Sequence, residues 1–456
     1  MNLNFPQKNR LQIASLLGLL ILFILSGCKT YPESSAQLSI QEDQTYQTME
    51  GFGAFNTLSF WDHATYEEKY DLLAHDMGLS IMRFELPPTF QEEKGGDYNM
   101  NGKVFGGPDL QQNFKDVREL NKRGVEKFIA TVWSPPAWMK TLNRQGEGPT
   151  TNYGGNLRED AREDFATYLA AYCRAFKDET GVELYALGIQ NEPEFAQPFN
   201  SCVYNPEQLR EALRYIGRKF RKEGIKTKIY LPEALPSQRH VEDFFNAVNE
   251  DEETKNYADI FAIHNYDKDG MSVGGAASKQ WARYAEVAAS VQPAKQLWMT
   301  ETSGHKNNWE GAMLLAANIY NAINYGNINA WVWWAISDRK RSEVYGLIID
   351  GEPTGRYYTS KHFYRYIRPG AIRTEAGSDH PDVLALAFKN SGNYKMVSVL
   401  INKGKTDEVI QLPKIGNTKT CEAFLSSGNV KFESQIINRS RRISLPSNSI
   451  MTVVWE

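Results

Sequence analysis

Residues 184–194 read LYALGIQNEPE, a short apolar run that leads directly into polar residues. The run Leu184–Gln190 has the length and the continuous apolar character of a strand buried on both faces. Residues 296–301 read QLWMTE, another apolar run that ends in a glutamate. The sequence therefore predicts two buried parallel strands, one followed by Glu192 and the other ending in Glu301.

Short strand-like runs alternate with helix-like segments between about residue 50 and residue 355. The predicted strands are Gly51–Phe55, Ser80–Phe84, Lys127–Trp133, Leu184–Gln190, Lys228–Leu231, Ile260–His264, Gln296–Glu301 and Ala330–Trp334. Amphipathic helices are predicted at Asp160–Asp178, Pro206–Glu223 and Trp309–Tyr325. Eight strands with intervening helices predict an α/β fold of the (β/α)8 TIM-barrel type. A doubly wound sheet is the alternative fold, but the chain has no GxGxxG motif after its first predicted strand.

The pattern changes to all-β after about Tyr358. Strands are predicted at Val383–Phe388, Lys395–Ile401, Glu408–Leu412, Cys421–Leu425, Phe432–Ile437 and Met451–Trp455. Turn-forming residues separate them, which is typical of a β-sandwich side domain at 358–456. The strand-like segment at 37–50 is expected to join this side domain, so that the barrel occupies 51–357.

The N-terminal residues 1–28 have the features of a bacterial lipoprotein signal. Lys8 and Arg10 precede an apolar run, Leu16–Leu25, that is short for a membrane span. The run ends in Leu-Ser-Gly-Cys, which resembles a lipobox and predicts lipidation of Cys28. We therefore expect a tether at 29–36 and a lipid anchor on the bacterial envelope, with the outer membrane favoured because Lys29 follows the cysteine. A plain secretory signal or an N-terminal anchor helix is the alternative.

The composition excludes several classes of function. A net charge of −4 gives no reason to expect nucleic-acid binding. The chain has no CxxC or HExxH motif, so we expect no metal and no cofactor. Cys173, Cys202 and Cys421 remain after Cys28; a bond between the first two is possible, and buried thiols are the other interpretation. A monomer is expected.

Polar or aromatic side chains follow nearly every predicted strand. Active residues of a TIM barrel lie at the C-terminal ends of its strands. Two carboxyl groups there are what cleavage of a glycosidic bond needs, because one protonates the leaving oxygen and the other attacks the sugar carbon or activates water. Glu192 and Glu301 are therefore the candidate catalytic pair. Candidate supporting or sugar-binding residues are Arg83, Trp133, Trp138, Asn191, His264, Tyr266, Trp333 and Trp334.

Several motifs, in order from about residue 50 to 370, resemble glycoside hydrolase family 30. They are GFGA at 51–54, WSPPAWMK at 133–140, LYALGIQNEP at 184–193, LWMTE at 297–301, VWW at 332–334 and FYRYIRPG at 363–370. The resemblance implies a retaining mechanism with Glu192 as general acid/base and Glu301 as nucleophile. Their carboxyl groups would lie about 5–5.5 Å apart. It also makes Tyr266 a candidate to hydrogen-bond Glu301 and Arg83 a candidate to keep Glu301 ionised.

The motifs are most similar to the xylanase branch of that family. In glucuronate-dependent xylanases an arginine lies close behind the strand-eight tryptophans, whereas here Arg339 and Arg341 come slightly later. We therefore expect an endo-β-1,4-xylanase without strict glucuronate dependence. A β-1,6-glucanase, β-glucosidase or glucosylceramidase-like enzyme is the alternative. Two alternatives of other classes are a surface glycan-binding lipoprotein without catalysis and a structural envelope protein without a pocket.

Overall fold

The computed structural model describes residues 35–62, 64–235, 240–266, 276–338, 344–418, 420–437 and 440–456. The predicted signal segment with Cys28, the tether up to residue 34, and Arg339 and Arg341 lie outside these ranges. Among the described residues, no helix is long and apolar enough to cross a membrane.

Eight parallel strands close into a barrel, which confirms the predicted fold class. The barrel strands are β2 (Gly51–Phe55), β3 (Ile81–Leu86), β4 (Lys127–Val132), β5 (Ala186–Gly188), β6 (Lys228–Ala234), β7 (Ile260–His264), β8 (Gln296–Glu301) and β9 (Ala330–Trp333). The helices of the described residues are α1 (Tyr66–Asp71), α2 (Leu110–Lys122), α3 (Arg162–Thr180), α4 (Pro206–Glu223), α5 (His240–Asn249), α6 (Ala276–Ser290), α7 (Trp309–Asn324) and α8 (Gly355–Tyr364). A π-helical turn, Leu72–Met77, continues α1.

Local signals explain where several helices begin and end. Helix α4 begins at Pro206 after the N-cap Asn205, which forms a capping box with Gln208. It ends at Gly224, whose left-handed φ of 68° suits a residue without a Cβ.

Side chains alternate between two apolar layers along each barrel strand. The inner layer includes Ile81, Ile129, Tyr230, Trp298 and Val332. The neighbouring residues on the same strands pack outward against the helices. This alternation decides which residue at each strand end faces the barrel axis.

The remaining strands form one nine-stranded sheet that curls over its own core. They are β1 (Ala36–Thr48), β13 (Ile372–Ser378), β14 (Val383–Ser391), β15 (Tyr394–Asn402), β16 (Glu408–Gln411), β17 (Cys421–Ser426), β18 (Glu433–Ile436), β19 (Arg442–Leu445) and β20 (Ser449–Trp455). Their order is β18-β17-β20-β15-β14-β13-β1-β16-β19, and only the β1–β16 pair is parallel. A small sheet of β10 (Ser337–Asp338), β11 (Ile348–Ile349) and β12 (Glu352–Pro353) follows β9.

Helix α8 packs the curled sheet against the barrel. His362 Nδ1 lies 2.9 Å from Thr452 Oγ1, and His362 Nε2 lies 2.9 Å from Ser426 Oγ. Tyr366 stacks on Phe424 with ring centroids 5.0 Å apart. Buried aliphatic side chains of β14, β15 and β20 belong to the same apolar cluster as the outer layer of the barrel. One face of the curled sheet therefore shares an apolar cluster with the barrel, and the other face encloses a separate cluster of its own.

Candidate active site

A cavity of about 750 Å³ opens at the C-terminal ends of the barrel strands. Six of the residues proposed from sequence line it: Trp133, Asn191, Glu192, Tyr266, Glu301 and Trp334. The others that line it are Glu85, Lys103, Val104, Phe105, Asn152, Phe195, Gln197, Pro198, Phe199, Asn200, Leu235 and Tyr345.

Glu192 and Glu301 face each other across the floor of this cavity. One carboxylate oxygen of each, together with a ring nitrogen of His264, lies within 4.8 Å of the others. Glu192 has a φ of 45°, in the left-handed region that costs a residue with a Cβ of order 1–3 kcal/mol. Its N–H donates to the carbonyl oxygen of Glu233 at 3.2 Å. The backbone is thus held in an unfavourable conformation that directs the Glu192 carboxyl into the cavity.

Irregular strand pairing brings two further side chains to the same point. Between β6 and β7 the register shifts at Glu233, which has a φ of 59°. Between β7 and β8 it shifts at Thr300, so that His264 is paired with Glu301. A bulge of this kind changes the direction of a side chain and is common next to active sites.

Arg83 lies below the two carboxylates and is fully buried. Its Nη1 donates to Glu301 Oε2 at 2.5 Å and its Nη2 donates to Glu233 Oε1 at 3.0 Å. Nη2 also donates to Asn191 Oδ1 at 3.0 Å, and Nε donates to Thr131 Oγ1 at 3.0 Å. A guanidinium remains charged in proteins. Burial by itself would raise the pKa of Glu233, but Arg83, and after it His264, holds that pKa below its usual range.

Both carboxylate oxygens of Glu192 have partners. Oε1 lies 3.0 Å from His264 Nδ1, and Oε2 accepts a hydrogen bond from Gln197 Nε2. His264 is fully buried, and its Nε2 lies 3.4 Å from Glu233 Oε1. Burial disfavours the imidazolium, but the charge of Glu301 and the hydrogen bonds to Glu192 and Glu233 outweigh it and raise the pKa of His264 to about 10. His264 is therefore placed to donate a hydrogen bond from Nδ1 to Glu192 Oε1.

Both carboxylate oxygens of Glu301 are bonded as well. Oε2 accepts from Arg83, and Oε1 accepts from the hydroxyl of Tyr266. Burial, followed by the charge of Glu301, raises the pKa of Tyr266 well above its usual value, so the phenol remains a donor. Within the described ranges, Glu192, His264 and Glu301 are the one group whose ligand atoms are close enough to hold a metal ion. Their hydrogen bonds to Arg83, Tyr266 and Gln197 already satisfy the carboxylate oxygens.

Trp133 and Trp334 form an aromatic wall beside Arg83. Their ring centroids lie 5.9 Å apart, and each also contacts Phe55. The guanidinium carbon of Arg83 lies 4.8 Å from the Trp133 ring centroid. Trp334 is partly exposed to the cavity, which suits an aromatic surface for a sugar ring.

Two tryptophans proposed as sugar-stacking surfaces lie elsewhere, so the structure corrects that expectation. Trp333 is completely buried among outward-facing residues, because Val332 belongs to the inner layer and its neighbour must point the opposite way. Its Nε1 donates to the carbonyl oxygen of Tyr345 at 2.6 Å. Trp138 packs against the apolar core and donates from Nε1 to Gln91 O at 3.2 Å. Neither ring lines the cavity.

Sequence reasoning missed two polar residues that complete the site, Glu233 and Gln197, and it assigned no role to Glu85 at the end of the second strand. Glu85 is two residues beyond Arg83 on the same face of β3, so period-two alternation could have found it. It accepts from Phe105 N–H at 2.5 Å and from Asn200 Nδ2 at 3.2 Å. Burial raises the pKa of Glu85, although these two hydrogen bonds act in the opposite direction. Gln197 lies in a loop, and no spacing rule indicates its contact with Glu192.

Comparison with known proteins agrees with this geometry. Residues 89–340, more than half of the 456, match the glycosyl hydrolase family 30 TIM-barrel domain. The chain therefore belongs to glycoside hydrolase family 30, and it is a retaining glycoside hydrolase.

Three relatives show the range of the similarity. The glucuronoxylanase XynC of Bacillus subtilis is 26% identical over 385 residues, which are 82% of this chain and 79% of the relative. The putative glucosylceramidase 2 of Caenorhabditis elegans is 22% identical over 419 residues, 82% of this chain and 78% of the relative. The solved structure of the subfamily 8 xylanase Xyn30A from Clostridium acetobutylicum superposes with a TM-score of 0.74 at 26% identity. It covers 92% of this chain and 99% of that one.

Proposed function

We propose that this chain is an endo-β-1,4-xylanase without strict glucuronate dependence, with Glu301 as nucleophile and Glu192 as general acid/base. The observation that carries the assignment is the approach of the two carboxylates to within 4.8 Å across one cavity. Retaining enzymes hold their carboxyl groups about 5–5.5 Å apart, and inverting enzymes need about 6.5–9.5 Å to admit a water. The similarity to two xylanases supports the choice of xylan.

The reaction proceeds in two displacements. A carboxylate oxygen of Glu301 attacks the anomeric carbon while the bond to the leaving oxygen breaks and that oxygen takes the proton of Glu192. Water then attacks the covalent intermediate, gives a proton to Glu192 and releases Glu301. Arg83 and Tyr266 hold Glu301 in position and stabilise its negative charge before attack and after release.

We infer that His264 positions the carboxyl group of Glu192 through a hydrogen bond from Nδ1 to Oε1. The two atoms are 3.0 Å apart and face away from bulk water.

Replacing His264 with glutamine should lower the free energy of unfolding, and the loss should be larger near pH ~6 than near pH ~10. The pKa of His264 in the folded protein is about 10, above the ~6.5 of a free imidazole. The stability that the charged imidazole contributes is therefore fully present below pH ~6.5 and is lost as the pH rises through about 10. Urea unfolding of wild type and variant would be compared across this pH range. A difference between them that does not shrink as the pH rises would mean that His264 is neutral in the folded protein.

Product analysis tests the substrate. Protein lacking residues 1–28 would be incubated with glucuronoxylan, linear xylo-oligosaccharides, β-1,6-glucan and a nitrophenyl β-glucoside, with Glu301→Gln as the blank. We expect ladders of products from both xylan substrates. Products from glucuronoxylan alone would show that the acid side group is required. Products only from β-1,6-glucan or the β-glucoside would replace xylan with a glucose-based substrate and leave the chemistry unchanged. No turnover of any substrate would favour a glycan-binding protein.

A further inference from the structure

The segment from Pro193 to Tyr204, here called the acid/base loop, starts at the residue after Glu192 and forms one wall of the cavity. It contains no regular secondary structure, but it is fixed from several sides. The hydrogen bonds that hold it are Tyr153 N–H to Gln197 O at 2.7 Å, Ser201 N–H to Thr151 O at 2.8 Å, Lys140 Nζ to Ser201 O at 2.7 Å, Tyr204 N–H to Pro193 O at 2.8 Å and Asn200 Nδ2 to Glu85 Oε1 at 3.2 Å. The loop is therefore preorganised.

This loop holds two phenyl rings in solvent. Phe195 is 48% exposed and Phe199 is 53% exposed, and both line the cavity. Seven large apolar side chains are exposed among the described residues, and four of them border this one cavity. Leaving apolar rings exposed forgoes stabilisation that burial would provide. Clustered exposure on a fixed loop is typical of a binding surface.

The polar neighbours of these rings indicate what binds there. Asn152 and Asn200 form a backbone bridge at the edge of the cavity and line it together with Gln197. A sugar ring offers an apolar C–H face and, around its edge, hydroxyl groups that need amide partners. Gln197 Oε1 is buried and has no hydrogen-bond partner among the described residues, and a lipid or aryl group would use the phenyl rings without bringing it a donor. The surface therefore suits a sugar.

We propose that Phe195 and Phe199 form a subsite for the sugar residue on the leaving-group side of the scissile bond. The inference rests on the proposed role of Glu192, since the residue that protonates the leaving oxygen must lie on that side of the bond. A subsite there binds a chain that continues beyond the cleavage point. The enzyme would then cleave within chains, and kcat/KM would be higher for substrates with sugars on the leaving side than for substrates with a small leaving group.

The test compares two substrates that share a glycone and differ in the leaving group. Linear xylohexaose carries sugars on the leaving side, whereas β-xylobiosyl fluoride carries a single atom there. For Phe195→Ala and Phe199→Ala, the ratio of kcat/KM for the hexaose to that for the fluoride should fall about ten-fold each. Leu142→Ala is the matched control, because Leu142 is 56% exposed but does not line the cavity. Its ratio should stay at the wild-type value.

Three results would overturn the subsite. One is an unchanged ratio in both variants, and another is an equal loss on the two substrates, which would place the rings on the glycone side. The third is a selective loss on a long-chain alkyl β-glycoside, which would mean that a lipid occupies the surface. If wild type hydrolyses neither xylan substrate, the proposed xylanase function is wrong, but the subsite has not been tested. The ratio of kcat/KM for an oligosaccharide to that for a fluoride would then be measured with gentiohexaose and β-glucosyl fluoride. Failure of the xylanase function and failure of the subsite are therefore distinguished.

Discussion

Replacement of Glu301 with alanine should lower kcat on xylo-oligosaccharides by about 10⁴-fold or more, because no group remains to form the covalent intermediate. Sodium azide should then restore turnover by attacking the anomeric carbon from the space left by the carboxylate. With an activated β-xylosyl substrate the product should be the α-glycosyl azide. The inverted configuration follows from a single displacement, and it would be read by NMR of the product.

Replacement of Glu192 with alanine should give the opposite stereochemistry with the same reagent. Glu301 still forms the intermediate when the leaving group needs no proton, and azide attacks it on the face where Glu192 would have activated water. The product should be the β-glycosyl azide, formed only from substrates with good leaving groups. If both variants gave the same azide anomer, or if Glu192→Ala kept full activity on unactivated oligosaccharides, the assignment of the two roles would be wrong.

Replacement of Arg83 with methionine should lower the free energy of unfolding by about 3–5 kcal/mol, the usual cost of removing one partner of a buried charge pair. The variant leaves Glu233 and Glu301 without their shared cation in the barrel interior. Activity should also fall sharply in the protein that remains folded. Arg83→Lys should recover only part of either property, because one ammonium cannot reproduce a planar fork that contacts four side chains.

Arg373→Met provides a matched control for this prediction. Arg373 is also buried and bonded to Gln47, Asn324 and Asn327, but it lies where the curled sheet meets the barrel. Its loss should change unfolding in urea and leave kcat of the folded fraction unchanged. If Arg83→Met kept wild-type kcat at a temperature where it is folded, Arg83 would be a structural residue with no part in positioning Glu301.

The barrel and the position of the two glutamates could be predicted because strands buried on both faces read as continuous apolar runs. Six of the eight predicted strands begin at the residue where the observed strand begins, and Gly51–Phe55, Ile260–His264 and Gln296–Glu301 match at both ends. Strand β13 was not predicted, because Ile372–Ser378 alternates weakly and contains a glycine. The two pairing irregularities at Glu233 and Thr300 could not be predicted, since an extra residue in a strand leaves the apolar pattern almost unchanged.

The aromatic surfaces show a different limit of sequence reasoning. Trp333 and Trp334 are adjacent, and their order relative to Val332 determines which one reaches the cavity. Period-two alternation contains that information once the inward residue is known. The loop residues Gln197, Phe195 and Phe199 carry no periodic signal, because hydrogen bonds to distant segments position them. Residues at strand ends, such as the two glutamates, can therefore be predicted from the sequence more readily than the loop residues that line the cavity.

The place of β1 in the curled sheet has a consequence for how the polypeptide assembles. This strand lies between β13 and β16, so six strands stand on one side of it and two on the other. It is synthesised before the barrel, but its partners Ile372–Ser378 and Glu408–Gln411 are synthesised after it. All eight barrel strands are synthesised before either of the two strands that pair with β1. Deleting Ala36–Thr48 would leave two sheet fragments with open edges, which invite pairing with other chains.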